Sequence, residues 1–213
     1  TLTVNGREIP ATQNGWQLLR TNASLPMTLS SSMPWQIGFI NIERPGRGVT
    51  VSAMGINGAQ LSQWSKWRPD MWEDLAQTKA DLIILAYGTN EAFSGNLDIS
   101  STERTWRNYI RQIKNTLPNA GILILGAPES LKTAYGSCGN RPVLLSEVQQ
   151  MQQRVARDEK IMFWSWQDAM GGACSMKNWM AQGFAAKDGV HFSAQGYETA
   201  ADKLADSLIR FAQ

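Results

Sequence analysis

The sequence predicts an α/β protein built on a doubly wound parallel sheet, with a β-rich segment ahead of it. Three observations carry that prediction. Short, continuous apolar runs recur at residues 81–88 (DLIILAYG), 121–128 (GILILGAP) and 161–166 (IMFWSW), the pattern of strands buried on both faces. Stripes at helical spacing lie between and after these runs. Ahead of Gly55 the texture is short and β-like, with no helical period.

Taken in order, Leu2 and Val4 alternate before Asn5-Gly6, a type I′ turn signal because both residues tolerate positive φ. Residues 37–42 (IGFINI) are rich in strand formers, and Val49, Val51 and Ala53 alternate after the Pro45-Gly46 break, so both stretches are expected as strands. The run at 81–88 opens the parallel sheet. Trp106, Tyr109, Ile110, Ile113 and Leu117 form a helical stripe, introduced by Ser101-Thr102-Glu103 and closed by Pro118. After the strand at 121–128, Leu144, Val148, Met151 and Val155 form a second stripe. After the strand at 161–166, Tyr197, Ala200, Ala201, Leu204 and Leu208 carry a third to the C-terminus. This alternation implies right-handed crossovers.

With 213 residues, 43% hydrophobic and 18% charged, the chain can bury a full core, which excludes a disordered chain. No stretch approaches the roughly 20 apolar residues of a membrane-spanning helix. Its 20 basic and 18 acidic residues leave a net charge of +2, and no basic run stands out beyond Arg44 and Arg47, so no nucleic-acid partner is expected. One His and two Cys cannot build the usual His/Cys zinc sites, and neither a metal nor an organic cofactor is expected. A start at Thr1, with no Met and no charged-then-apolar leader, is expected of a trimmed or processed piece.

In doubly wound sheets ligands bind outside the carboxyl ends of the strands, which selects residues 55–58, 88–91 and 127–130. His191 is the sole imidazole and hence the natural general base near neutral pH. Asp188, three residues earlier with Gly189 to allow the turn, can reach back to its Nδ1–H; a plain DG turn ahead of a helix is the other reading. Asn90, directly after a buried strand, suits an oxyanion-hole amide or a helix-capping Asn. Gly58 can present a backbone N–H to the same oxyanion or simply make a tight turn. Together these residues form an acyl-transfer site lacking one part, the nucleophile.

Gly58, GTNE at 88–91 and DGVH at 188–191 followed by FSAQGY resemble the second, third and fifth sequence blocks of the SGNH (GDSL-type) esterases. The resemblance runs from about Val49 to the C-terminus. The wording GINGAQ, WSWQDAMGG and AKDGVHF is most similar to the peptidoglycan O-acetylesterases of Gram-negative bacteria. It implies a flavodoxin-like sheet, Asp188 and His191 as triad members, and Gly58 and Asn90 as oxyanion donors. The substrate it implies is an O-acetylated glycan, and the location a periplasm or cell envelope.

The resemblance fails at one point. The family's serine stands in a Gly-Asp-Ser block, and none of the 213 residues forms one, nor a Gly-x-Ser-x-Gly elbow. Ser94, Ser137 and Ser175 sit in or near long loops. The resembled acetylesterases carry a β-sandwich, carbohydrate-binding-like module between the Ser block and the Gly block. Residues 1–48 are therefore expected to be the C-terminal part of that module, and 49–213 a hydrolase domain lacking its first strand. The serine is then expected on an N-terminal fragment of the same polypeptide. The alternatives are a non-catalytic glycan-binding pseudoenzyme, and an esterase of another acetylated polysaccharide or lipid.

Cys138 and Cys174, each in a Gly-rich loop, are expected to form a disulfide in an oxidising compartment; a cysteine nucleophile working with His191 is the competing reading. Of the nine tryptophans, Trp64, Trp67 and Trp72 cluster after Gly58, while Trp164, Trp166 and Trp179 lie in or after the last strand. Most are expected in packing, with one or two available to stack on sugar rings.

Overall fold

A computed structural model describes residues 1–10 and 15–211. The chain divides into two compact units, Thr1–Met54 and Gly55–Gln213.

The first unit is organised by one hairpin. Asn5 and Gly6 both take positive φ, 50° and 78°, and turn β1 (Leu2–Val4) into β2 (Arg7–Ile9), as the Asn-Gly pair predicts. Asn5 also fixes the third strand: its Nδ2 donates to the Ser24 carbonyl and its Oδ1 accepts the Thr28 N–H. β3 (Leu29–Ser31) then pairs antiparallel with the other edge of β1, giving the order β2-β1-β3.

Two predicted strands do not form. Residues 37–42 and 49–53 carry no strand, and Val49 and Val51 stand 91% and 85% exposed. Alternation marks a strand that needs one buried face and a hydrogen-bonded neighbour, and no described strand pairs with either stretch.

The second unit carries the parallel sheet, in the order β4 (Leu82–Leu85), β5 (Gly121–Leu125), β6 (Met162–Trp164). β5 is the middle strand and is buried along Ile122–Leu125. Parallel neighbours require crossovers, and helices supply them: α3 (Ile99–Thr116) between β4 and β5, and α4 (Leu145–Asp158) between β5 and β6. Trp106, Ile110 and Ile113 of α3 and Met151 and Val155 of α4 are fully buried with Ile122 and Ile124, so the predicted stripes are the core faces. α3 starts earlier than its Ser-Thr-Glu signal implies. The Asp98 carboxylate accepts the Ser100 and Ser101 N–H groups, which makes Asp98 the cap and leaves Ser101 inside the first turn. Arg107 bridges Glu103 of α3 and Asp158 of α4, while Arg154 of α4 reaches back to Glu103.

Ahead of this sheet lie a 3₁₀ segment (Leu61–Lys66) and α1 (Met71–Thr78); α2 (Thr89–Phe93) follows β4 directly. After β6 come α5 (Trp166–Met170), α6 (Met176–Ala181) and the long α7 (Ala194–Phe211). A second apolar cluster holds these last helices together through Met170, Met176, Trp179, Phe192 and Ala200, joined by Leu131 from the loop after β5. No helix among the described residues is long and apolar enough to cross a membrane.

Candidate active site

The loop ahead of α7 is closed by its own side chains. Asp188 Oδ1 accepts the backbone N–H groups of Val190 and His191 at 2.8 and 3.0 Å, and Oδ2 lies 2.7 Å from His191 Nδ1. The turn requires Gly189, whose φ is +71° and where a Cβ would come within 2.9 Å of Leu131 Cβ. The ring hydrogen bond from His191, with the backbone N–H groups of His191 and Val190, lowers the Asp188 pKa to about 2. An ionised carboxylate only accepts, so Nδ1–H is the donor in this bond. The His191 side chain is 73% exposed, leaving Nε2 open to solvent and substrate. Leu131 N–H donates to the Gly189 carbonyl at 2.8 Å, which ties this loop to the one after β5.

A second constellation stands at the end of β4. Gly58 has a φ of +75° in a turn closed by Ala59 N–H on the Ile56 carbonyl. Asn90, in the first turn of α2, donates from Nδ2 to the Ala59 carbonyl at 3.0 Å, leaving the second amide hydrogen free for another acceptor. Gln60 Nε2 donates to the Asn90 carbonyl at 3.2 Å. Glu91 is 1% exposed, and its two oxygens accept Leu61 N–H and Gly88 N–H, each at 2.9 Å. Burial pushes the Glu91 pKa up, against these same N–H groups, which favour the carboxylate.

No hydrogen bond joins the Gly58–Asn90 constellation to Asp188–His191 directly among the described residues. A buried amide connects their supporting loops. Gln152 of α4 donates from Nε2 to the Tyr87 carbonyl and accepts Ala127 N–H, so the ends of β4 and β5 are held by one side chain. Gly88 fits beside it only without a side chain: φ is +121°, and a Cβ would come within 2.8 Å of Gln152 Nε2. The loop after β5 is further fixed by Glu129, fully buried, which accepts from Arg141 at 2.7 Å, from Gln167 at 2.5 Å and from the Cys174 N–H at 3.2 Å.

Sequence reasoning marked residues 127–130 as a rim loop but gave Glu129 no role, and it missed Gln152. Glu91, at the third position of α2, carried the one available signal, the spacing of a capping carboxylate.

Cys138 and Cys174 are joined in a disulfide, and neither described cysteine is free, so the cysteine-nucleophile reading falls. None of the three serines considered replaces it. No described serine hydroxyl hydrogen-bonds to His191, and Ser175 is buried with an unpartnered Oγ.

Residues 31–199 match the model of the GDSL-like lipase/acylhydrolase family. The chain belongs to that family. Its parallel sheet and helices are those of the SGNH hydrolase fold. The chain is 67% identical to a solved peptidoglycan O-acetylesterase, with a TM-score of 0.93 over 99% of this chain and 60% of that one. It thus spans 60% of that protein's length. An acetyl xylan esterase is 16% identical at a TM-score of 0.57, covering 72% of this chain and 78% of its own. A lipase/acylhydrolase from Enterococcus faecalis is 16% identical at 0.53, covering 71% of each chain. These last two share the fold alone. A comparison with curated protein sequences gives no match.

Proposed function

We propose that this chain is the larger part of a serine esterase that removes O-acetyl groups from peptidoglycan, with the serine supplied by a segment outside these 213 residues. The observation that carries the reading is the Asp188–His191 pair: a carboxylate 2.7 Å from Nδ1, backed by two backbone N–H groups, with Nε2 exposed. The 67% identity to a peptidoglycan O-acetylesterase directs the substrate.

In this reading the serine hydroxyl attacks the acetyl carbonyl carbon while His191 Nε2 takes its proton, and Asp188 stabilises the imidazolium that forms. Gly58 N–H, the free Asn90 amide hydrogen and the serine's own N–H hold the tetrahedral oxyanion. Collapse breaks the ester bond, and the sugar oxygen leaves with the proton from His191. Water then loses a proton to His191 and attacks the acetyl-enzyme, and collapse releases acetate as His191 returns that proton to the leaving serine oxygen.

The sheet supports a supplied segment. Among the described residues β4 pairs only with β5, and Ile84 on β4 is 42% exposed. In a flavodoxin-like order, 2-1-3-4-5, the first strand lies beside the third, which is the position of β4. A Gly-Asp-Ser block at the end of such a strand would enter at this edge. Residues 1–48 are then the end of an inserted β module and 49–213 the hydrolase domain. Acting on peptidoglycan places the enzyme outside the cytoplasmic membrane, in a periplasm or cell envelope.

Acetate release tests the substrate. The whole protein should release acetate from O-acetylated peptidoglycan faster than from acetylated xylan, and His191→Ala should release none above background. Equal or greater release from xylan would overturn the peptidoglycan assignment.

A further inference from the structure

We propose that Glu91 is a positioning residue for the oxyanion hole, one carboxylate that locks the Gly58 loop and the Asn90 loop into register. The proposal rests on the esterase reading above and deepens it.

The geometry goes beyond helix capping. A glutamate at this position ordinarily uses one oxygen to reach back to the N-terminal N–H of its own helix, and Glu91 does so with Oε2 on Gly88. Its other oxygen crosses 30 residues of sequence to accept Leu61 N–H, at the start of the 3₁₀ segment that follows Gly58. Two neutral bonds run beside it, Gln60 Nε2 to the Asn90 carbonyl and Asn90 Nδ2 to the Ala59 carbonyl. Residues 59–61 are thereby tied to residues 90–91 three times, and Glu91 supplies the charge-assisted tie.

Burying a carboxylate is costly unless it is fully hydrogen-bonded, so the arrangement needs a return. The return available here is rigidity where it counts. Gly58 N–H and the Asn90 amide come from separate loops, and an oxyanion hole works only if its donors stand at about 2.7–3.1 Å from one developing charge. A misplacement of about 1 Å at such a site costs on the order of a hundredfold in rate. The side-chain length matters as well. Aspartate at position 91 is one methylene shorter and cannot span both N–H groups, whereas glutamine offers one acceptor oxygen and sets its NH₂ against the other N–H.

The test is steady-state hydrolysis of p-nitrophenyl acetate by the whole protein, its nucleophile block included, with Glu91→Gln and Glu91→Asp beside Asn90→Ala. The aspartate variant keeps the charge and the cap on Gly88, so it reports on the cross-loop tie if the glutamine variant does not fold. The expected result is a kcat lowered about ten- to a hundredfold in each folded Glu91 variant, with KM within about twofold. A double-mutant cycle separates positioning from plain stability: with Asn90 already replaced by Ala, the second substitution should cost no more than about threefold. A wild-type kcat in folded Glu91→Asp, or a loss that multiplies fully with that of Asn90→Ala, would overturn the proposal. A wild-type protein with no turnover would instead overturn the esterase reading beneath it.

Discussion

Asp188 holds the His191 loop by three bonds at once, two to His191 and one to Val190: Oδ2 meets the ring at Nδ1, and Oδ1 accepts the backbone N–H groups of Val190 and His191. Replacing Asp188 by Asn keeps the shape and reverses the polarity, because an amide NH₂ facing Nδ1 favours the tautomer with the proton on Nε2. The expected loss in kcat is on the order of 10⁴-fold, read with p-nitrophenyl acetate.

The same contacts set a pH dependence of stability. With its pKa lowered to about 2, Asp188 favours the folded state at pH values above the ordinary carboxylate range of about 4. That contribution is lost as pH falls through about 2, where the folded carboxylate takes up its proton. Urea unfolding followed by circular dichroism should show a wild-type advantage over Asp188→Asn that is present above pH about 4 and disappears toward pH about 2. An advantage that persists undiminished at pH about 2 would contradict this account.

Asn90→Ala removes a proposed oxyanion donor and its brace to the Ala59 carbonyl. A kcat lower by about 10²- to 10³-fold with little change in KM is expected. Gly58→Ala has a different signature. Its Cβ meets nothing within 4 Å, yet the residue must hold a φ of +75°, so the folded state should weaken by about 1–2 kcal/mol in urea titrations.

Much of the second unit is legible in the sequence because its signals are local. β4, β5 and β6 are uninterrupted apolar runs, and α3, α4 and α7 carry periodic stripes. Asp188 and His191 are three residues apart with a glycine between, so their contact can be inferred without knowing the fold. Residues 49–53 mislead because alternation records a face to be buried, while the strand itself depends on a neighbour that no described residue provides. The Glu91–Leu61 bond is illegible for a related reason: its partner is 30 residues away, and the spacing of Glu91 announces only its cap on Gly88.

The Cys138–Cys174 disulfide closes a loop with a separation of 36 residues, and Cys174 N–H also donates to the buried Glu129 carboxylate. Paired Cys→Ser substitution should lower the unfolding free energy by about 3–4 kcal/mol through chain entropy. Differential scanning calorimetry would measure this, and an unchanged Tm would show that the bridge leaves the unfolded chain unconstrained.

The central claim is that Asp188 and His191 serve a serine that lies outside these residues. Hydrolysis of p-nitrophenyl acetate by the whole protein, by its His191→Ala variant and by a variant with the Gly-Asp-Ser serine replaced by Ala tests it most directly. The account predicts turnover by the first and none above background by either variant. No turnover by a whole protein that carries the Gly-Asp-Ser block, or undiminished turnover after either substitution, would contradict it.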